Sequence, residues 1–143
     1  MSILFLDIDG VIDNITGSQH DLDKDKVNLL IYIIQQTNCD IVITSDWRYG
    51  GIDISSQLQK SLVKAGGQIV YNHIIGSTIT SCDCRSIQIH QWLFDNMYEG
   101  TYAILDDNEM FDDDLNYYLV KTEKKEGLTK AHTNNIIKIL KGF

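Results

Sequence analysis

The chain has 143 residues, the size of one ordinary domain, and this excludes a large catalytic add-on. With 43% hydrophobic and 22% charged residues it is composed like a globular protein that buries a core, not like a disordered or fibrous one. Twenty acidic against twelve basic side chains give a formal charge of −8, so no basic field surrounds it and tight, salt-driven binding of long nucleic acid is not expected. A short nucleic-acid end held by a metal and one or two cations stays open.

Three cysteines, Cys39, Cys82 and Cys84, are too few and too odd in number for a disulfide framework, and point to a reducing compartment. The apolar start Ile3-Leu4-Phe5-Leu6 stops at Asp7 with no basic residue ahead of it, unlike a signal peptide. No apolar run reaches the length of a membrane span. A cytoplasmic protein of one domain over residues 1–143, with no membrane partner, is the expectation.

Strands and helices alternate along the chain. Ile3–Leu6 is a short apolar run expected as a strand buried on both faces. From about Lys24 to Thr37 the sequence is apolar nearly all round. Its length predicts a buried helix, capped by Asp23 or Asp25. Ile41-Val42-Ile43 is the second strand, ending at Thr44-Ser45-Asp46. Ile54, Leu58 and Leu62, followed by Ala65 and Gly66-Gly67, mark a helix and its stop.

Gln68–Tyr71 is expected as a third strand, and the polar residues 72–84 as an ordered loop. Ile89, Trp92, Leu93 and Met97 at helical spacing define the next helix, closed by Gly100. Tyr102–Leu105 is the fourth strand, ending at Asp106-Asp107, and Tyr117–Val120 the fifth. Ile136, Ile139, Leu140 and Phe143 form one stripe of a final helix. Strands separated by helices imply parallel pairing. The predicted fold is α/β: a doubly wound, three-layer, Rossmann-like domain with a mainly parallel five-stranded sheet. Ligands bind such sheets beyond the carboxyl ends of the strands.

Those ends carry polar side chains. Asp7 and Asp9 follow the first strand, Thr44 and Ser45 the second, Asp106 and Asp107 the fourth. Carboxylates that end buried strands repel one another and lose hydration. A divalent cation relieves both costs, and oxygen-only ligands favour Mg²⁺ over zinc. Asp7, Asp9, Asp106 and Asp107 are the candidate metal residues.

Other candidates are weaker. Cys82-Asp83-Cys84 lacks the second ligand pair of a zinc site. Asp21, Asp23 and Asp25 imitate the start of a calcium loop, but Lys26 stands where that loop needs Gly. Asp112-Asp113-Asp114 reads as a solvated turn, Trp92 as core, and His73 as a loop residue at the rim of the site.

Phe5-Leu6-Asp7-Ile8-Asp9-Gly10-Val11-Ile12 resembles the first motif of the haloacid dehalogenase (HAD) superfamily of aspartate-nucleophile phosphohydrolases. Ile43-Thr44-Ser45 resembles the second and Ile104-Leu105-Asp106-Asp107 the fourth. Within the superfamily the chain is most similar to small members without a cap domain that carry Thr-Ser-x-Trp-Arg, here Thr44–Arg48, and a later Arg ahead of a Trp-Leu helix, here Arg85 before Trp92-Leu93. Such domains occur in phage proteins and in RNA-repair proteins.

The resemblance implies that Asp7 attacks phosphorus to form an aspartyl-phosphate. It implies that Asp9 serves as acid and then base, with its backbone carbonyl helping to hold the metal. On an extended strand end residues i and i+2 point the same way, which suits this division. Thr44 would bond a phosphoryl oxygen, assisted by Ser45.

The superfamily's third motif is a Lys or Arg that neutralises the phosphoryl group. Arg48 and Arg85 are the only arginines. Arg85 opens the helix that carries Trp92, so its guanidinium and the helix N-terminus can both face phosphate. Arg48, with Trp47, is expected on the substrate side. Ser86, Ile87 and Gln88 depart from the Gly and Glu that often follow this Arg in similar members.

The expected function is Mg²⁺-dependent hydrolysis of a phosphomonoester. An open site favours a substrate whose bulk stays outside, such as a polynucleotide 3′-phosphate end or a nucleotide, with Trp47, Arg48, Tyr49 and His73 at its rim. A phosphorylated small molecule as substrate, or a non-catalytic binding module, are the alternatives.

Overall fold

The computed structural model describes residues 1–13, 21–44, 54–78, 84–110 and 113–142. The expectations placed on Ser45, Asp46, Trp47, Arg48, Tyr49, Cys82, Asp112 and Phe143 lie outside these residues.

Five strands form one sheet: β1 (Ser2–Leu6), β2 (Asp40–Ile43), β3 (Ile74–Ser77), β4 (Thr101–Asp106) and β5 (Leu119–Lys121). Their order is β3-β2-β1-β4-β5 and every pairing is parallel. β1 is buried at all five positions, as its unbroken apolar sequence requires at the centre of a sheet covered on both faces.

One face is covered by α1 (Lys24–Thr37), α2 (Ile54–Lys64), α3 (Gln68–Asn72) and α6 (Lys130–Leu140). Leu4, Leu6, Val27, Leu30, Leu62, Val70 and Ile136 share that core. The other face is covered by α4 (Arg85–Asp95) and the single turn α5 (Asp113–Asn116). There Phe5, Ile89, Ile104, Met110 and Leu115 are buried, and Trp92 meets Phe5 edge-on with ring centroids 5.5 Å apart. The result is the expected three-layer α/β domain. Among the described residues no cap covers the strand ends, and no helix is long and apolar enough to cross a membrane.

The ends of α1 are set by its sequence. Asp23 is the N-cap and accepts from the Asp25 and Lys26 N–H groups at 2.9 and 3.2 Å. Asn38, in the left-handed region at φ 52°, closes the helix.

Four expectations are corrected. Gln68–Tyr71 is helix α3, because the Tyr71 N–H turns back to the Gly67 carbonyl at 3.1 Å. The third strand lies within the expected loop, at Ile74–Ser77. The fifth strand begins at Leu119, so Tyr117 and Tyr118 precede it. Finally, α4 ends at Asp95, and Met97, at φ 46° and 86% exposed, stands off the apolar stripe. Tyr98 packs against that core instead.

Candidate active site

β1, β2 and β4 are neighbours, so their carboxyl ends bring Asp7, Thr44 and Asp106 side by side. The Asp7 N–H donates to the Leu105 carbonyl and the Thr44 N–H to the Leu6 carbonyl, each at 3.0 Å. These bonds extend the sheet by one residue and fix both backbones. Asp7 is 5% exposed, and Thr44 and Asp106 are fully buried.

Arg85, the first residue of α4, reaches all three. Its Nη1 forms a buried ion pair with Asp106 Oδ2, donates to Thr44 Oγ1 at 3.3 Å, and lies 3.6 Å from Asp7 Oδ1. One planar cation thus bridges the ends of three strands, as a guanidinium with several fixed donors can.

Carboxylates outnumber that cation. Asp7, Asp106 and Asp107 each offer an oxygen within 4.8 Å of the others. Burial, with the negative charge of Asp106 next, pushes the Asp7 carboxyl up from 3.8 to about 8, although Arg85 pulls it down. Burial likewise raises Asp106 to about 6, against the pull of Arg85 and of the Asn108 N–H. Such crowding is costly without further positive charge. Among the described residues the donors are all carboxylate oxygens, without sulfur or imidazole, so the set fits a hard cation such as Mg²⁺.

After Asp7 the chain leaves the sheet direction. Val11 and Ile12 N–H groups both donate to the Ile8 carbonyl, at 3.1 and 3.0 Å, closing a turn. Asp9 lies in that turn and is exposed, whereas Asp7 is buried. Asp9 therefore belongs to this turn and not to the extended strand end on which it was expected. The side chain of Asp9 is not among the clustered carboxylates.

Gly10 has φ 80°, in the left-handed region that favours glycine, and its N–H donates to Asp13 Oδ1 at 2.9 Å. Its carbonyl accepts from the buried Thr122 Oγ1 at 2.8 Å, which ties this turn to the segment after β5.

The family described as the HAD domain in Swiss Army Knife RNA repair proteins matches residues 3–133. The chain belongs to this HAD family. No curated protein and no solved structure matches it.

Of the residues singled out in the sequence, the HAD domain brings Asp7, Thr44, Arg85, Asp106 and Asp107 together. Ser45, Trp47 and Arg48 lie outside the described residues. His73 is not at the rim: its Nδ1 contacts the Cys39 carbonyl at 3.0 Å, and its own carbonyl accepts from the Ile41 N–H at 2.8 Å. Both contacts put it at the amino end of β2, across the sheet from Thr44.

Two supporting residues were missed. The Asn108 N–H donates to Asp106 Oδ1 at 2.9 Å and its Nδ2 to Asp107 Oδ1 at 3.2 Å, orienting both carboxylates. An Asn two residues after Asp106 was the available signal, since such residues bond nearby carboxylates in turns. Thr122, which holds Gly10, had no local signal because its partner is 112 residues away.

Proposed function

We propose that this HAD domain hydrolyses phosphomonoesters with the help of Mg²⁺, through an aspartyl-phosphate on Asp7, and that it acts on a polynucleotide 3′-phosphate end or a nucleotide. The observation that carries the reading is the Arg85 guanidinium, drawn to Thr44, Asp7 and Asp106 at the ends of three adjacent strands. Such a group is suited to a phosphoryl oxygen that gains negative charge.

Asp7, Asp106 and Asp107 would hold the ion, together with the Asp9 carbonyl. When bound, Mg²⁺ supplies the positive charge that keeps the clustered carboxylates ionised and draws a phosphoryl oxygen toward them. Asp7 attacks phosphorus, and the P–O bond to the leaving group breaks as the new P–O bond forms. Asp9, exposed on its turn, gives a proton to the leaving oxygen. It then takes one from the water that attacks phosphorus, which releases inorganic phosphate and frees Asp7. Thr44 Oγ1 donates to a phosphoryl oxygen and Arg85 neutralises the transferring group.

The substrate class rests on two supports: the family's setting in RNA repair proteins, and strand ends that no cap encloses among the described residues. With little surface around a small leaving group, discrimination between metabolites is weak, while a nucleotide chain finds further contacts outside. Phosphate release by the purified chain, with and without Mg²⁺, tests the reading on 3′-phosphorylated oligonucleotides, nucleoside monophosphates and sugar phosphates. The expected result is Mg²⁺-dependent turnover with kcat/KM for the best nucleotide at least ~10-fold above any sugar phosphate. Equal hydrolysis of glucose 6-phosphate would remove the substrate assignment. No release from any substrate would remove the chemistry.

A further inference from the structure

The charge of the chain is unevenly divided. Residues 117–143 carry six lysines and two glutamates, a formal +4 in a chain whose total is −8, which leaves −12 for residues 1–116. This basic segment contains β5 and α6. Two clefts of about 370 and 360 Å³ lie there, and both have Ile139 in their walls. Although the chain has twenty acidic residues, among the described residues neither cleft is lined by a carboxylate.

The clefts have a direction. Lys121 is in register with Asp106 across β4 and β5, and lines the first cleft with His132 and Lys138. At the other end of α6, the Thr101 hydroxyl donates to the Leu140 carbonyl at 2.8 Å, so the helix runs from the strands' carboxyl ends back to their amino ends. There the second cleft is lined by Tyr102, Tyr117 and Tyr118. Tyr102 and Tyr118 have ring centroids 4.4 Å apart, Tyr118 meets Tyr117 edge-on, and Tyr117 is 81% exposed. From His132 to Leu140 the helix α6 rises about 12 Å, the length of a few nucleotides. Among the described residues no carboxylate pairs with Lys121 or Lys138.

We infer that the cleft between the β5 edge and α6 holds a single-stranded polynucleotide, which runs from the carboxylate site past Lys121 and Lys138 and stacks a base on Tyr117. The inference rests on the proposed function in one respect: it places the terminal phosphate of that strand at Asp7. Ammonium groups attract the backbone, and an aromatic face accepts any base, so binding needs little sequence preference. The segment's formal +4 opposes the negative charge of the rest of the chain.

The test is fluorescence anisotropy of the full chain with a labelled RNA octanucleotide ending in a 3′-hydroxyl, without Mg²⁺, which needs no phosphatase activity. The wild type is expected to bind below ~100 μM and to weaken as salt rises from about 50 to 200 mM. Tyr117→Ala and Lys138→Glu should each weaken binding at least ~5-fold, while Lys60→Glu on α2 leaves it unchanged. With a 3′-phosphorylated octanucleotide, the first two variants should raise KM by similar factors and leave kcat, and turnover of a nucleoside 3′-monophosphate, as in the wild type. Absence of binding by the wild type, or variants that bind equally well, would overturn the inference. So would a dimer that Lys138→Glu dissociates while no RNA binds, since a second copy would then fill the cleft. Variant-sensitive binding without phosphate release from any substrate would uphold the cleft and refute the phosphatase.

Discussion

Gly10 and Asp107 are packed so closely that a Cβ on residue 10 would lie 2.7 Å from the Asp107 carboxyl carbon. The glycine also holds φ 80°. Two demands therefore meet at one position, a left-handed backbone and room for a carboxylate of the candidate metal cluster. Gly10→Ala should lower stability by ~1–3 kcal/mol and displace Asp107, so the variant should need more Mg²⁺ for half-maximal thermal stabilisation than the wild type. Thermal unfolding across a Mg²⁺ titration measures both effects. An unchanged midpoint with unchanged Mg²⁺ demand would contradict this packing argument.

Arg85 joins three strand ends, and its loss should be felt in turnover and in stability. Arg85→Ala leaves Asp106 buried without its cation and removes the charge facing the transferring phosphoryl group, so kcat should fall at least ~100-fold. Arg85→Lys keeps the charge but not the planar fork, and should recover only part of the loss. Steady-state phosphate release from a 3′-phosphorylated oligonucleotide ranks the three proteins. Full activity in Arg85→Ala would remove this residue from the mechanism.

Asp7 and Asp106 make the metal-free protein sensitive to pH. Their folded-state carboxyls are raised from 3.8 to about 8 and about 6. Between the ordinary value and the raised ones, the folded state holds protons that the unfolded chain has released. Stability therefore falls as pH rises through this window. In chelator, Tm should be higher at pH 5 than at pH 8.5 by ~3 °C or more, and Mg²⁺ should reduce the difference. Asp7→Asn, which removes one buried anion, should flatten the slope in chelator. A Tm that rises with pH in chelator would contradict this account of the cluster.

Much of this was legible in the sequence because the central strands are apolar on both faces and end in polar residues. β1, β2 and β4 could be read directly, and with them Asp7, Thr44 and Asp106. β3 could not: it is an edge strand, half-buried at Ile74 and exposed from Ile75 to Ser77, so it lacks the apolar run that marks a central strand. Gln68–Tyr71 has such a run but is helical, and over so few residues periodicity does not separate the two. At the site, residue types could be read but not their long-range partners. The turn closed on the Ile8 carbonyl, which holds Asp9, and the Thr122 bond to Gly10 arise only in the folded chain.

Asn108 holds both carboxylates that follow β4. Asn108→Ala removes the side-chain bond to Asp107 but keeps the backbone bond to Asp106. Turnover at saturating Mg²⁺ should stay within ~3-fold of the wild type, while the Mg²⁺ concentration for half-maximal activity should rise ~10-fold or more, as for other residues that orient metal ligands. A Mg²⁺ titration of phosphate release separates the two effects. An unchanged half-maximal concentration would show that Asp107 needs no such support.

The most direct measurement is phosphate release from a 3′-phosphorylated oligonucleotide by the wild type and by Asp7→Asn, both in saturating Mg²⁺. The amide is nearly isosteric with the carboxylate but does not attack phosphorus. The account predicts Mg²⁺-dependent turnover by the wild type and none by a folded Asp7→Asn that still binds the oligonucleotide. Normal release by pure Asp7→Asn would contradict it.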